Sequence, residues 1–217
     1  MSMFTTRKRS FALSLGAAAA AGAGMLMMGV GDAASAPESQ AKVGQKAPDF
    51  TVTDYMGKEH TLSDYTEQGK AVVLEWFNPD CPFVKKHYRD DTMTMNSMRQ
   101  EMAEEDVVWL LVNSGREGHP TTGTQRMADV ANEWDINSQI LLDFSGEVGK
   151  AYGAKRTPEM YVIDSSGVLV YHGAIDDRAD AQAPGKKNYV RNALSQTLAG
   201  ETVTMPETKA YGCSVKY

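Results

Sequence analysis

The chain has 217 residues, 42% of them hydrophobic, and a formal net charge of −6. This length and composition suit one domain with a buried core and some shorter extra segments. The acidic balance argues against nucleic acid as a partner, because phosphate binding needs a concentrated basic surface. There are two cysteines, Cys81 and Cys213. Their number alone does not distinguish a structural disulfide from reactive thiols, so their positions must decide.

The first 36 residues have the order of a secretory signal peptide, which is basic, then apolar, then small. The basic patch is at 7–9, the uncharged run at 11–30 and the small residues around 33–36. Removal of this segment would change the formal charge to −8. An uncleaved membrane anchor is the alternative, since the run is nearly long enough to span a bilayer. The basic patch also resembles an interrupted twin-arginine signal, and every one of these routes leads to a periplasmic or extracellular domain.

The rest of the chain divides by composition into three parts. Residues 37–46 are small and polar and predict a linker, and residues 47–199 carry the periodic elements of a domain. Residues 200–217 form a C-terminal tail that contains Cys213.

Predicted strands and helices alternate along the domain. In chain order they are a hairpin (50–53 and 60–62), a strand (71–77), a helix (82–104), a strand (107–112), a helix (124–133), a short strand (139–142), a hairpin (160–164 and 168–172) and a helix (188–198). The long apolar runs are typical of central strands that are buried on both faces. This order predicts an α/β fold with a central mixed sheet, helices on both faces and an N-terminal hairpin extension.

Cys81 lies where a buried strand, a tight turn and a helix follow one another. Pro82 is favoured at the first helical position, which places Cys81 at the helix N-cap. Free backbone N–H groups and the helix dipole are expected to point at its sulfur and favour the nucleophilic thiolate. Lys85, one turn along the helix, would add electrostatic support. Cys81 is therefore the predicted nucleophile.

Glu75 is a carboxylate inside an apolar strand, which is costly unless the group is paired or protonated. It lies six residues before Cys81, at the far end of the same strand and turn. This places Glu75 under the helix start, where it could relay protons, through water if needed.

This arrangement resembles the thioredoxin superfamily. Thioredoxins carry a buried acid six residues before their first active-site cysteine, where Glu75 stands, and a cis-proline that faces this cysteine, which Thr157-Pro158 matches. The segment 43–50 resembles the opening of the AhpC/TSA (redoxin) branch, and the resemblance covers roughly residues 43–199. It implies a thioredoxin-like fold in which Thr157 and Pro158 present backbone to an extended substrate thiol or disulfide.

The chain also departs from the patterns of these families. Val84 stands where thioredoxins have their second cysteine, so the site carries a single cysteine at the helix N-terminus. Asn78 and Leu74 replace a threonine and a proline of typical peroxiredoxins, and Pro158 stands where their catalytic arginine falls, with Arg156 close by. These departures argue against efficient peroxide reduction.

Cys213 in the tail has three possible roles. A flexible tail could bring its thiol to attack an oxidised Cys81, as a resolving cysteine does. It could instead form a static disulfide or remain an unpaired thiol.

The sequence predicts an extracytoplasmic thiol-disulfide oxidoreductase that needs a separate reductant and acts on protein or small-molecule thiols or disulfides. It lacks a glycine-rich phosphate loop, so no organic cofactor is implied. We expect no metal site. The spacing of Met95, Met98 and Met102 is typical of residues that pack in a core, and the histidines are far apart along the sequence. Two alternatives remain open. One is an antioxidant thiol peroxidase acting on hydroperoxides, and the other is a non-enzymatic metallochaperone or binding module. A membrane contact follows only if the N-terminal segment is retained.

Overall fold

The computed structural model describes residues 40–89 and 91–217. The expected signal segment, residues 1–36, lies outside these residues. In the part described, none of the helices has the length and apolar character needed to cross a membrane.

The strands are β1 (Thr51–Thr53), β2 (Glu59–Thr61), β3 (Ala71–Trp76), β4 (Val107–Asn113), β5 (Gln139–Leu142), β6 (Arg156–Thr157), β7 (Glu159–Ile163), β8 (Leu169–Gly173) and β9 (Cys213–Ser214). Five of them form a central mixed sheet in the order β5-β4-β3-β7-β8. The central strand β3 runs parallel to β4 and antiparallel to β7. Two further pairs, β1 with β2 and β6 with β9, lie outside this sheet.

Helices cover both faces of the sheet. They are α1 (Leu62–Thr66), α2 (Pro82–Lys85), α3 (Thr94–Glu101), α4 (Thr124–Glu133), α5 (Glu147–Tyr152) and α6 (Tyr189–Leu198). Side chains of α3, α4 and α6 pack with Val73 on one face. Those of α1 and α5 pack with Val72 on the other face. Every residue of β3 is buried because successive side chains point to opposite covered faces. The α/β fold with a central mixed sheet is confirmed.

The expected helix over 82–104 is wrong as a single element, because the chain forms α2, a turn and α3 instead. Lys86, His87 and Tyr88 are consecutive and all buried. In a straight helix three such residues would spread over roughly 200° and could not all point inward. The chain therefore leaves the helix, and Met93 takes a left-handed φ of 42° directly before α3.

The expected linker and the C-terminal tail both form backbone hydrogen bonds with the domain. In the expected linker, Gly44 N donates to Leu169 O at 2.8 Å and Ala41 N donates to Ala151 O at 2.9 Å. At the other end, Cys213 and Ser214 form β9, which pairs with β6. Residues 40–46 and the cysteine-bearing end of the tail thus form part of the folded body.

Candidate active site

Cys81 lies at the N-cap of α2, as the sequence predicts, with Pro82 at the first helical position. The strand β3 ends at Trp76, and the turn that follows is closed by a hydrogen bond from Cys81 N to Asn78 O at 3.1 Å. Asn78 also accepts a bond from Asp80 N through its side-chain oxygen at 2.9 Å. The loop therefore places Cys81 at the end of the sheet where β7 begins, close to the separate strand β6.

The expectation that amide N–H groups point at the sulfur of Cys81 is wrong. Among the residues that the structure describes, no backbone N–H of α2 donates a capping hydrogen bond to the Cys81 side chain. The N–H groups of Val84 and Lys85 donate to the Cys81 carbonyl oxygen instead, and α2 is a single turn of four residues. The sulfur itself lies 3.0 Å from Thr157 O and 2.8 Å from the sulfur of Cys213.

The Thr157–Pro158 peptide bond is cis, as the resemblance implied. Thr157 belongs to β6, where it lies directly opposite Cys213 in an antiparallel pair. The structure thus brings together four of the predicted site residues, Cys81, Thr157, Pro158 and Cys213. The two thiols are 132 residues apart in sequence.

The two cysteines differ in their surroundings. Cys81 is buried, with 2% of its surface exposed, whereas Cys213 is half-buried. Burial, together with the neighbouring Cys81 thiol, raises the pKa of Cys213 above its ordinary value. Cys213 therefore holds its proton more firmly than an exposed cysteine would.

A buried polar cluster, formed by Lys86, His87, Asp176 and Tyr211, lies beside this pair and was not predicted. Tyr211 donates a 2.5 Å hydrogen bond to Asp176, and His87 Nε2 lies 3.2 Å from the same hydroxyl. The Lys86 ammonium is 3.6 Å from the Asp176 carboxylate and lies over the Tyr211 ring, 4.4 Å from its centroid. Burial lowers the pKa of Lys86, and it lowers that of His87 to about 4. In the sequence, the signal that could have pointed to this cluster is the position of Tyr211, two residues before Cys213.

Lys85 is turned toward the loop before Cys81. Its ammonium lies 3.8 Å from the carboxylate of Asp80, which also pairs with Arg126 at 2.9 Å. Because Asp80 offsets its charge, the positive field that Lys85 contributes at Cys81 is weaker than its sequence position suggests.

Glu75 is fully buried in β3 and has three partners. Tyr88 donates to its carboxylate, with its hydroxyl 2.8 Å from both oxygens. Trp109 Nε1 donates at 3.3 Å, and the Arg99 guanidinium lies 3.7 Å away. Burial raises the pKa of Glu75 above its ordinary value, while Arg99 and the hydrogen bonds partly oppose this effect. Among the bonds of the described residues, none joins Glu75 to either cysteine.

The described residues contain no group of three or more histidine, cysteine or acidic side chains arranged to hold a metal ion. Met95 and Met98 are buried in the core beside α4 and α6. His60 pairs with Asp54 at 2.7 Å and His172 with Glu159 at 2.8 Å, so both take part in separate structural contacts.

Comparison with known proteins gives a family match and several relatives. The model of the AhpC/TSA family matches residues 43–172. The thiol-disulfide oxidoreductase ResA of Geobacillus thermodenitrificans is 30% identical over 125 residues, 58% of this chain and 65% of that protein. The chain thus spans slightly less than two thirds of the length of this curated relative.

Solved structures show the fold. An uncharacterized conserved protein from Geobacillus kaustophilus is 30% identical, with a TM-score of 0.73 over 81% of this chain and 92% of that one. The thioredoxin domain of a thiol-disulfide oxidoreductase from Bacteroides vulgatus is 16% identical, with a TM-score of 0.54 over 73% of this chain and 99% of that one. The thioredoxin-like fold implied by the residues around Cys81 is confirmed.

Proposed function

This chain belongs to the AhpC/TSA family, and from that premise we propose that it is an extracytoplasmic thiol-disulfide oxidoreductase whose redox centre is the pair Cys81 and Cys213. The observation that carries the proposal is the 2.8 Å separation of the two sulfurs. A disulfide bond is about 2.05 Å long, so the two thiols need only a small further approach to join. The likeness to ResA supports the choice of disulfide chemistry.

The proposed reaction begins when the Cys81 thiolate attacks one sulfur of a substrate disulfide. A mixed disulfide with Cys81 forms, and the other substrate sulfur leaves as a thiolate that takes up a proton. Cys213 then loses its proton and attacks the Cys81 sulfur, which releases the second substrate thiol. The substrate disulfide has gained two electrons, the two cysteines have become a disulfide, and an external dithiol reductant restores them.

Cys213 in this scheme does the work that the absent cysteine at position 84 does in thioredoxins. Its raised pKa supports a resolving rather than an attacking role, because the attacking group must supply a thiolate. Cys81, at the start of α2 and beside Thr157, is the attacking thiol. Of the three roles that the sequence left open for Cys213, we thus propose the resolving one, with Cys81 as the single cysteine at the helix N-terminus.

Thr157 and Pro158 would present backbone to the substrate, and Glu75 would serve as the proton relay. The support for Glu75 is its complete burial and its raised pKa, which bring its protonation closer to neutral pH. Its hydrogen bonds to Tyr88 and Trp109 mean that any transfer to the cysteines runs through intervening groups or water. Lys85, whose charge Asp80 offsets, would give weaker electrostatic support.

A thiol peroxidase is the competing function, because Cys213 could equally condense with a sulfenic acid on Cys81. The surroundings of Cys81 favour a peroxidase less than they favour a disulfide oxidoreductase. The Asn78 side chain bonds to its own loop and to Thr121, and the Cys81 sulfur bonds to Thr157 O and Cys213. The arginine that stabilises a peroxide in typical peroxiredoxins has no counterpart among these contacts.

The extracytoplasmic location rests on the first 36 residues, with their basic, apolar and small segments in the order of an export signal. An oxidising compartment would make a thiol-disulfide couple useful, since disulfides persist there. Fractionation of cells expressing the full chain would test this directly.

The test of the reaction is a single turnover without free reductant. The reduced protein is mixed with one equivalent of a small mixed disulfide, and the released thiols are counted by absorbance. The wild type releases about two thiols per chain, Cys213→Ser about one with the other substrate half retained on Cys81, and Cys81→Ser none.

The matched control is Ser214→Ala, which changes the exposed neighbour of Cys213 and leaves both thiols in place. It should behave as the wild type. Release of both thiols by Cys213→Ser would exclude Cys213 as the resolving group. Rapid consumption of hydroperoxide with slow disulfide turnover would favour the peroxidase.

A further inference from the structure

Cys81 is too deeply covered to react with an external disulfide in the state that the structure shows. Only 2% of the residue is exposed, and its sulfur faces Thr157 O and the sulfur of Cys213. Attack on a disulfide requires access along the line of the bond that breaks. Some part of the protein must therefore move before a substrate sulfur can reach Cys81.

The element that holds Cys213 against the Cys81 sulfur is the C-terminal segment, residues 211–217. Its strand β9 pairs antiparallel with β6, with Cys213 opposite Thr157. Further along, Val215 N donates to Lys155 O at 3.2 Å, and the Tyr217 hydroxyl donates to Ala154 O at 2.8 Å. The segment thus runs beside β6 as an added strand, in the position where an extended peptide with a cysteine would lie.

This segment also has the features of an element that opens at a low free-energy cost. Its strand β9 has two residues, and every residue from Tyr211 to Tyr217 is exposed or half-buried. Segments with few buried contacts open more easily than the core of a fold. The side chain that attaches the segment to the buried part of the domain is Tyr211, two residues before Cys213.

Tyr211 is held by groups that follow Cys81 in sequence and by Asp176. Its hydroxyl donates to the buried Asp176 carboxylate at 2.5 Å. Its ring contacts the Lys86 ammonium and lies 6.1 Å from the Phe83 ring, centroid to centroid. Phe83 and Lys86, which contact the Tyr211 ring, therefore belong to the same short stretch of chain as Cys81.

We infer that the C-terminal segment is a self-bound strand that occupies the peptide-binding edge of β6, and that the Tyr211–Asp176 hydrogen bond sets how often it opens to admit an extended, cysteine-containing substrate. The inference rests on the proposed function for the identity of that substrate. Tyr211 and Asp176 act through Cys213 and are positioning residues. Closing delivers Cys213 to Cys81, and opening exposes Cys81 to the next substrate.

The experiment compares the wild type with Tyr211→Phe, which removes only the hydroxyl. In the reduced full chain, alkylation of Cys81 is measured by peptide mass for a small reagent, iodoacetamide, and a bulky one, a maleimide joined to polyethylene glycol. For each reagent, the alkylation ratio, which is the rate in Tyr211→Phe divided by the rate in the wild type, should rise to roughly ten, which is the scale expected for loss of a hydrogen bond to a charged group. The equilibrium constant for the Cys81–Cys213 disulfide against glutathione should fall by roughly the same factor, because Cys213 spends less time at Cys81.

The control is Tyr65→Phe, which removes a hydroxyl bonded to His60 at 2.5 Å, far along the chain from the segment. It should leave both readouts at the wild-type values, and thermal unfolding of each variant checks that the chain is folded. Unchanged alkylation rates in folded Tyr211→Phe would overturn the inference, whatever the turnover. If disulfide turnover is absent in the wild type but the ratio still rises, the proposed function fails and the gating segment stands.

Discussion

Glu75 and Cys81 lie on one strand and turn, yet each has its own surroundings. Cys81 faces Thr157 and Cys213 at the end of the sheet, whereas Glu75 is enclosed by Tyr88, Trp109 and Arg99. A buried carboxylate keeps its charge only if its partners offset the loss of water. The raised pKa of Glu75 shows that they offset it only in part.

The raised pKa of Glu75 makes stability depend on pH. The folded state binds the Glu75 proton more tightly than the unfolded state, so its contribution is complete below the ordinary pKa and is lost as pH rises through the raised pKa. Glu75→Gln keeps an acceptor for Tyr88 and cannot titrate. Urea unfolding between about pH 4 and pH 8 should show the variant gaining stability relative to the wild type as pH rises. Parallel curves for the two proteins would contradict the assignment of this effect to Glu75.

The residue types at the site were largely predictable from the sequence, because each is marked locally. Cys81 precedes a proline at a helix start, Glu75 interrupts an apolar strand, and Pro158 stands before a strand. The direction of the Cys81 sulfur was not predictable. It depends on Thr157 and Cys213, which reach it only through the tertiary fold.

At the scale of elements, the longer strands and helices match their sequence patterns. The strand over 139–142 and the helix over 124–133 have the expected bounds, because periodicity is clear over such runs. The strands β6 and β9 have two residues each, too few to show any period. The break after α2 escaped prediction because the stretch from Lys86 to Met93 contains no glycine or proline.

Gly212 is the residue that allows β9 to pass close to β6. Its φ is +122°, and a Cβ there would overlap the carbonyl oxygen of Thr157. Gly212→Ala should displace Cys213 and lower the equilibrium constant for the Cys81–Cys213 disulfide, obtained from its fraction in a glutathione redox buffer, by roughly tenfold or more, since the strained conformation alone costs about 1–2 kcal/mol.

Gly200→Ala is the matched control for this change. Gly200 also has a positive φ, +70°, but nothing lies within 4 Å of its added Cβ. The control should lose some stability in urea and keep the wild-type disulfide fraction. Equal disulfide fractions in the two variants would show that the close passage of Gly212 does not position Cys213.

The described residues form a thioredoxin-like domain in which the chain returns to its proposed active site. The sheet and its helices follow from the order of strands and helices in the sequence. The return of the C-terminal segment does not follow from that order, because Cys213 and Thr157 pair although they are 56 positions apart in sequence, and nothing in the local sequence marks this contact. Because the C-terminal segment brings Cys213 to Cys81, the site contains two thiols, although the sequence around Cys81 supplies one.

The most direct measurement of this account is the disulfide state of the full chain after mild oxidation. The protein is treated with one equivalent of diamide, alkylated, digested and mapped by mass spectrometry. The account predicts a single intramolecular link between the peptides of Cys81 and Cys213, with a chain mass about 2 Da below that of the reduced protein. Two alkylated thiols, a sulfinic acid on Cys81 without a link, or links only between chains would contradict it.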